Sequence, residues 1–295
     1  MALVKVADDF FRCSEIARRS LSLSYCQALE AADILYLACS PLPIPEEDRE
    51  FLLRQRQAAG GHHKNIAYKP ASDRLSGYAG ENAARMRAIL RAFSTAAMAC
   101  LHELLAPYRF VADFASFRGI EEQGRPAKPR ARNDLVHVDS FPTRPTHGRR
   151  ILRFFVNLNP SRPRVWKTGP PFPELARRYA ASSGLLARAA APSWQDRLAR
   201  VGLPLHPRPA YDRFMLLFHH WLKANESVQN AAENATWEFP AGSAWLCFTD
   251  TVSHAVLSGQ YAAEQTVLVE LDSLTRPELA PAAIFAGLMA ARRTA

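Results

Sequence analysis

No stretch of this chain is apolar over the length that a membrane-spanning helix needs. Its opening, M-A-L-V-K-V-A-D-D-F-F-R, breaks into charge early and lacks the uninterrupted apolar run of a secretory leader. Cysteine is scarce: five residues, odd in number and widely spaced, at positions 13, 26, 39, 100 and 247. That pattern argues against a disulfide framework and for reduced thiols in a cytoplasmic protein. Helix-turn-helix, zinc-finger and RNA-binding signatures are also missing, so nucleic acid is not the expected partner.

What the chain has in excess is basic charge in one window. Its net charge is +9 over 295 residues, and between Arg118 and Arg178 fourteen Lys and Arg stand against five Asp and Glu. The window alone therefore carries an excess equal to that of the whole chain. Such clustering implies an anionic partner, and a small or lipid-borne anion fits it best.

Inside this window, N-D-L-V-H-V-D-S-F reads as a short strand over Asp134 to Phe141 that carries His137 and Asp139. Side chains at i and i+2 of a strand share a face, so an imidazole and a carboxylate converge. They are two members of the 2-His-1-carboxylate set that holds non-haem Fe(II). Nine histidines and twelve aspartates give about 0.4 such pairs by chance at this composition, so context must carry the rest. It comes from F-P-A-G-S-A-W-L-C-F-T-D-T-V-S-H: a turn, an aromatic strand, then His254 opening a further strand. A double-stranded β-helix of the jelly-roll or cupin type brings a late histidine beside an early H-x-D. The expected fold is thus α+β with a mainly β core and covering helices, and the expected metal ligands are His137, Asp139 and His254.

The remaining pattern fills in around that core. The first twenty-odd residues read as an amphipathic helix, a strand follows within Tyr25 to Ala38, and a helix runs from Pro45 to Gln57. The polar loop G-G-H-H-K-N-I-A-Y-K-P places Lys64 and Tyr68 where they can line an approach for an anionic substrate. Apolar residues recur at three- and four-residue steps from Asn82 to Tyr108, which predicts a helix. Arg109 to Ile120 alternates as a strand. Arg149 to Asn159 alternates too, with Ile151, Arg153, Phe155, Asn157 and Asn159 on one face. Arg153 with the two asparagines is suited to holding a dicarboxylate, since a planar guanidinium pairs bidentately with a carboxylate. Pro160 to Pro209 is a proline-rich insertion with short helices near Glu174 to Ala181 and Pro192 to Val201. A helix over Ala210 to Ser227 carries His219 and His220, read as packed or surface groups. Thr266 to Leu271 closes the barrel, and a last helix over Pro277 to Arg293 docks on the domain.

Together F-R-G-I-E-E-Q-G-R, R-N-D-L-V-H-V-D-S-F-P-T-R-P-T-H-G-R-R-I-L-R, N-P-S-R-P-R-V-W and S-H-A-V-L-S-G-Q-Y resemble the Fe(II)/2-oxoglutarate-dependent hydroxylases of 3-deoxy-D-manno-oct-2-ulosonic acid, Kdo. The resemblance implies a single oxygenase domain over 1–295: a cover over 1–108, a β-helix core over 109–272 with an insertion at about 160–235, and a helix over 277–293. It implies hydroxylation of the outer Kdo of Kdo2-lipid A at its third carbon, using Fe(II), 2-oxoglutarate and O2, at the cytoplasmic side of the inner membrane. Peripheral membrane contact and oligomers are compatible with it. It also implies His137, Asp139 and His254 as iron ligands, Arg153, Asn157, Arg118 and Trp166 about the 2-oxoglutarate, and Lys64, Tyr68 and Arg132 about the sugar or its anionic groups. Many related oxygenases carry a base about ten residues after the last ligand histidine; here Ala263-Glu264-Gln265 stands there, which favours Arg153, alone or shared with Arg118.

Overall fold

The computed structural model describes residues 1–55, 65–126, 128–192 and 207–294. The expected Pro192 to Val201 helix, Lys64 and the end of the Pro45 to Gln57 helix fall wholly or partly outside the described residues. The fold is mixed α/β around a large sheet. Its strands are β1 (Leu3–Lys5), β2 (Ile34–Leu37), β3 (Ile66–Lys69), β4 (Arg74–Ser76), β5 (Phe110–Arg118), β6 (Arg150–Asn157), β9 (Ala244–Phe248) and β11 (Ala262–Val269), in the order β1-β2-β9-β6-β11-β5-β3-β4. Here β1 pairs parallel with β2, and the other neighbours are antiparallel. A smaller antiparallel sheet has β10 (His254–Ser258), β7 (Arg164–Thr168) and β8 (Ala235–Phe239) in that order.

The period-two pattern of β6 shows how the sheet divides space. Leu152, Phe154, Val156 and Leu158 join the main core, where the helices Glu15–Glu30 and Ala83–Leu104 cover the outer face. Phe155, on the other face, stacks on Trp245 of β9 and meets Trp166 of the small sheet edge-on. Phe239 and Trp245 stack at 4.0 Å. These rings fill one part of the space between the sheets and leave a cavity beside them. The helix Ala210–Ala224 caps the other side with Phe172, Phe214 and Phe218, and Phe285 of the last helix, Pro281–Thr294, packs onto Phe214.

Three expectations need correction. The N-terminal segment is not one helix: β1 comes first, the helix starts at Glu15 behind the cap Ser14, and it runs to Glu30, so only Ile34–Leu37 is strand. The closing strand is longer than the weak alternation suggested, because β11 is buried along its length between β5 and β6, so its polar residues Glu264, Gln265 and Thr266 do not mark a solvent face. Finally, Asp134 to Phe141 is not a regular strand; it meets β10 at one bridge, His137 with His254. Asn133 bonds Val256 and His137 bonds His254, so four residues on one side span two on the other. The bulged stretch is held instead by the Gln229 amide, which receives Val136 N–H at 2.8 Å and donates to Val136 C=O at 3.0 Å.

One buried ion pair anchors this end of the sheet. Arg150 and Asp250 are 0% and 1% exposed, Arg150 donates to both carboxylate oxygens, and its guanidinium lies over Phe248 at 3.9 Å. Asp250 also accepts the Ile151 N–H, which ties the start of β6 to the turn that leads to His254. Removing one partner strands a buried charge, at a cost of about 3–5 kcal/mol. Asp250→Ala should therefore lower the unfolding free energy by that amount, seen as a lower urea midpoint at unchanged slope; an unchanged midpoint would show the pair to be dispensable.

Candidate metal centre and its cavity

The bridge between His137 and His254 is reciprocal: His137 N–H donates to His254 C=O at 3.0 Å and the reverse bond is 2.8 Å. Two residues distant in sequence are thereby set side by side, with ring centroids 4.8 Å apart. Asp139, two residues on, bonds through its N–H to Thr249 C=O at 2.7 Å. Its carboxylate lies 3.7 Å from His137 Nε2. A third imidazole, His219, reaches in from the helix Ala210–Ala224 and sits edge-on to His137 at 4.8 Å.

Each of these rings has its Nδ1 against a backbone carbonyl: His137 on Leu135 at 2.7 Å, His219 on Val138 at 2.7 Å and His254 on Val252 at 2.8 Å. A carbonyl only accepts, so Nδ1 carries the proton and Nε2 keeps its lone pair. Burial lowers the pKa of all three, with Lys223 adding to the effect, and His219 falls to about 4. Neutral imidazoles with oriented Nε2 atoms are what a divalent metal requires. Burial opposes the Asp139 charge, but the Arg153 guanidinium outweighs it and holds this carboxyl below its ordinary value. Asp139 Oδ2 lies 3.0 Å from Arg153 Nε, yet neither atom has a well-directed hydrogen bond. The donor set therefore fits a metal of the Fe(II) type. Ligand atoms of His137, Asp139 and His219 lie within 4.8 Å of one another, the one such group among the described residues.

The cavity has a volume of about 260 Å³ and its wall contains His137, Asp139, His219 and His254 with Arg118, Arg153, Arg164 and Trp166. Trp166 stacks on His254 at 5.0 Å, and its indole N–H is buried without a partner. Arg153 already pairs with Glu264 at 3.1 Å as well as with Asp139. Arg164 is buried, donates to Gly259 C=O at 3.0 Å and leaves Nε without a partner. Burial and then Arg118 lower its pKa to about 10. The backbone of Gly259, at φ +124°, passes so close that an added Cβ would lie 2.8 Å from the Arg164 side chain.

Other expected site residues lie elsewhere. Asn157 is fully buried, but its amide donates to Arg162, Phe239 and Pro240 carbonyls; it fastens turns beyond the aromatic rings and does not line the cavity. Tyr68 is paired opposite Ala115, whose face of β5 is the core face, so its ring is in the main core and its hydroxyl donates to Asp73. Arg132 is held by Asp134 at 2.6 and 2.9 Å and is absent from the cavity wall. Sequence reading missed Arg164, His219 and Lys223. Arg164 and Trp166 share a strand face by alternation, and His219 and Lys223 share a helix face at i and i+4; both were signals, but neither says that the face meets the cavity.

A sequence model of 3-deoxy-D-manno-oct-2-ulosonic acid (Kdo) hydroxylase matches residues 14–292. The chain belongs to the Kdo hydroxylase family. No curated protein sequence matches it. Among solved structures, it is similar to the apo form of the Kdo hydroxylase KdoO, a non-heme Fe(II) alphaketoglutarate dependent dioxygenase, with 30% identity, TM-score 0.84, and coverage of 98% of this chain and 96% of that one. KdoO in complex with alphaketoglutarate and Fe(III) gives 29% identity and TM-score 0.83, with the same coverage. The complex of KdoO with succinate and Fe(III) gives 29% and 0.82, again over 98% and 96% of the two chains.

In this Kdo hydroxylase Arg118 of the cavity wall is paired with a buried carboxylate that does not itself line the cavity. Glu122 bonds Arg118 at 2.6 Å and Arg125 at 3.1 Å. Burial opposes its charge, but Arg118, Arg164 and Arg125 prevail and bring the carboxyl to about 2 from 4.5. A depressed folded-state pKa gives stability that is present above the unfolded value and lost as pH falls through the folded one. Relative to wild type, Glu122→Gln should cost about 3 kcal/mol at pH 7, and that difference should shrink to about half or less at pH 3. Urea melts at both pH values test this; a pH-independent difference would contradict it.

Proposed function

We propose that the chain is an Fe(II)/2-oxoglutarate-dependent hydroxylase of Kdo, built as a single domain on a double-stranded β-helix. The sheet orders support that reading of the fold: β5-β11-β6-β9 form the larger face, and the bridged segment at His137 with β10-β7-β8 forms the smaller. Iron is held by His137, Asp139 and His254. The observation that supports this most is the reciprocal backbone bridge, which sets His254 beside His137, whose Nε2 lies 3.7 Å from the Asp139 carboxylate. When bound, Fe(II) with 2-oxoglutarate and O2 supplies the chemistry that converts a C–H bond to C–OH while the oxoacid leaves as succinate and CO2.

The protein's own contribution is holding and orienting. Arg153, engaged by Asp139 and Glu264, steadies the ligand carboxylate. That arrangement shifts the role first expected of Arg153, the grip on the distal carboxylate of 2-oxoglutarate, to the Arg118 and Arg164 pair, with the free indole N–H of Trp166 nearby. An open donor on Arg164, beside the Arg118 guanidinium in the same buried wall, favours an anion between them. The acceptor is the outer Kdo of Kdo2-lipid A, hydroxylated at its third carbon to give Ko. No described helix is long and apolar enough to cross a membrane.

A second ligand set, with His219 in place of His254, is favoured by the ligand-atom distances. Cobalt(II) titration separates the two. On the present reading His254→Ala abolishes the cobalt absorption bands and His219→Ala retains them; the reverse would exchange the assignments.

Purified protein given Fe(II), ascorbate and 2-oxoglutarate should form succinate in a manner dependent on Kdo2-lipid A, with one oxygen atom gained by the lipid and both lost in His137→Ala. Acceptor-independent succinate would reopen the acceptor. Arg164→Lys should raise the KM for 2-oxoglutarate roughly 10- to 100-fold, the loss of one charge-assisted hydrogen bond of about 1.5–3 kcal/mol; an unchanged KM would return the role to Arg153.

A further inference from the structure

The space at the site continues past the candidate ligands. Arg130 and Lys223 stand in the wall of the metal cavity, and the same two residues line a second cavity of about 320 Å³ along the helix Ala210–Ala224. Arg188, Leu217 and Trp221 supply much of its remaining surface. Leu217 and Trp221 are one helical turn apart, so this face of the helix is apolar with cations at its rim.

Those cations differ from their neighbours. Arg118 and Arg125 are matched by Glu122, Arg132 by Asp134, and Arg178 by Glu174. By contrast, Arg130, Arg188 and Lys223 have no carboxylate at ion-pair distance among the described residues. Lys223 is 8% exposed, and its Nζ donates to Arg130 C=O at 3.3 Å, which leaves further N–H donors for a ligand. Burial lowers its pKa to about 8, which an incoming anion would reverse. The Trp221 ring is fixed by Phe218, parallel at 6.1 Å, and by Tyr179 at 5.0 Å. A fixed aromatic face bordered by unmatched cations suits a sugar that bears negative charge.

We propose that this second cavity is an outer subsite for a second anionic group of the acceptor, a carboxylate or phosphate on the unit attached to the sugar being hydroxylated. Lys223 and Arg130, shared by both cavities, stand between the two units, and Arg188 holds the far one. The inference rests on the Kdo hydroxylase reading, and its test separates the two.

Steady-state rates are measured with three probes: the methyl glycoside of Kdo, a Kdo disaccharide, and Kdo2-lipid A in detergent. Arg188→Ala should lower kcat/KM for Kdo2-lipid A at least tenfold more than for the single sugar, through KM, and Arg188→Lys should restore it to within about threefold. If the disaccharide shares the loss, the second group is a carboxylate; if only the lipid does, it is a phosphate. An equal effect on all three probes, or none, overturns the subsite while leaving the hydroxylase reading intact. A wild-type protein that turns over no probe overturns the hydroxylase reading and the subsite with it.

Discussion

The pair of backbone hydrogen bonds between His137 and His254 is the constraint on which the rest depends. It joins a segment that is barely a strand to the edge of the small sheet. With one bridge in place of a ladder, the segment relies on outside help: the Gln229 amide stands in for a strand partner at Val136, and Thr249 receives Asp139. A regular ladder would tie the segment to β10 alone. The irregular one lets the chain turn so that Asp139 meets His137 and Arg153.

Around this point the protein manages an unusual density of buried charge. Arginines and carboxylates alternate through the interior: Asp139, Arg153 and Glu264 on one side, Glu122, Arg118, Arg125 and Arg164 on the other. Asp139 and Glu122 are held ionised by guanidinium groups that keep their charge even when buried. Donors on Arg164 and Trp166 remain open in the same wall, so the array can accept an anionic ligand. In the Kdo hydroxylase family that ligand chemistry is natural, because a sugar acid and a 2-oxoacid both present carboxylates.

Much of this was legible from local pattern. Alternation in Arg150–Asn157 placed Arg153 and Phe155 on the face opposite Leu152, Phe154 and Val156, and the three- and four-residue recurrence gave the helix Ala83–Leu104. Burial decides both signals, and it acts over a few residues at a time. Tyr68 and Asn157 were misplaced for the same reason seen from the other side. Sharing a segment or a strand face with site residues does not say how far along the sheet a side chain lies, or which face a partner strand imposes.

The sequence by itself determined the H-x-D pair, the late histidine, the basic window and the family to which they belong, because each is a matter of residue type and spacing. Only the tertiary structure decided that His219 and Lys223 come over the same cavity from the helix Ala210–Ala224, that Arg153 is already engaged by two carboxylates, and that Arg164 keeps an open donor. Those facts depend on contacts between segments far apart in the chain, where the free energy of pairing one buried charge is set by neighbours that no local pattern names.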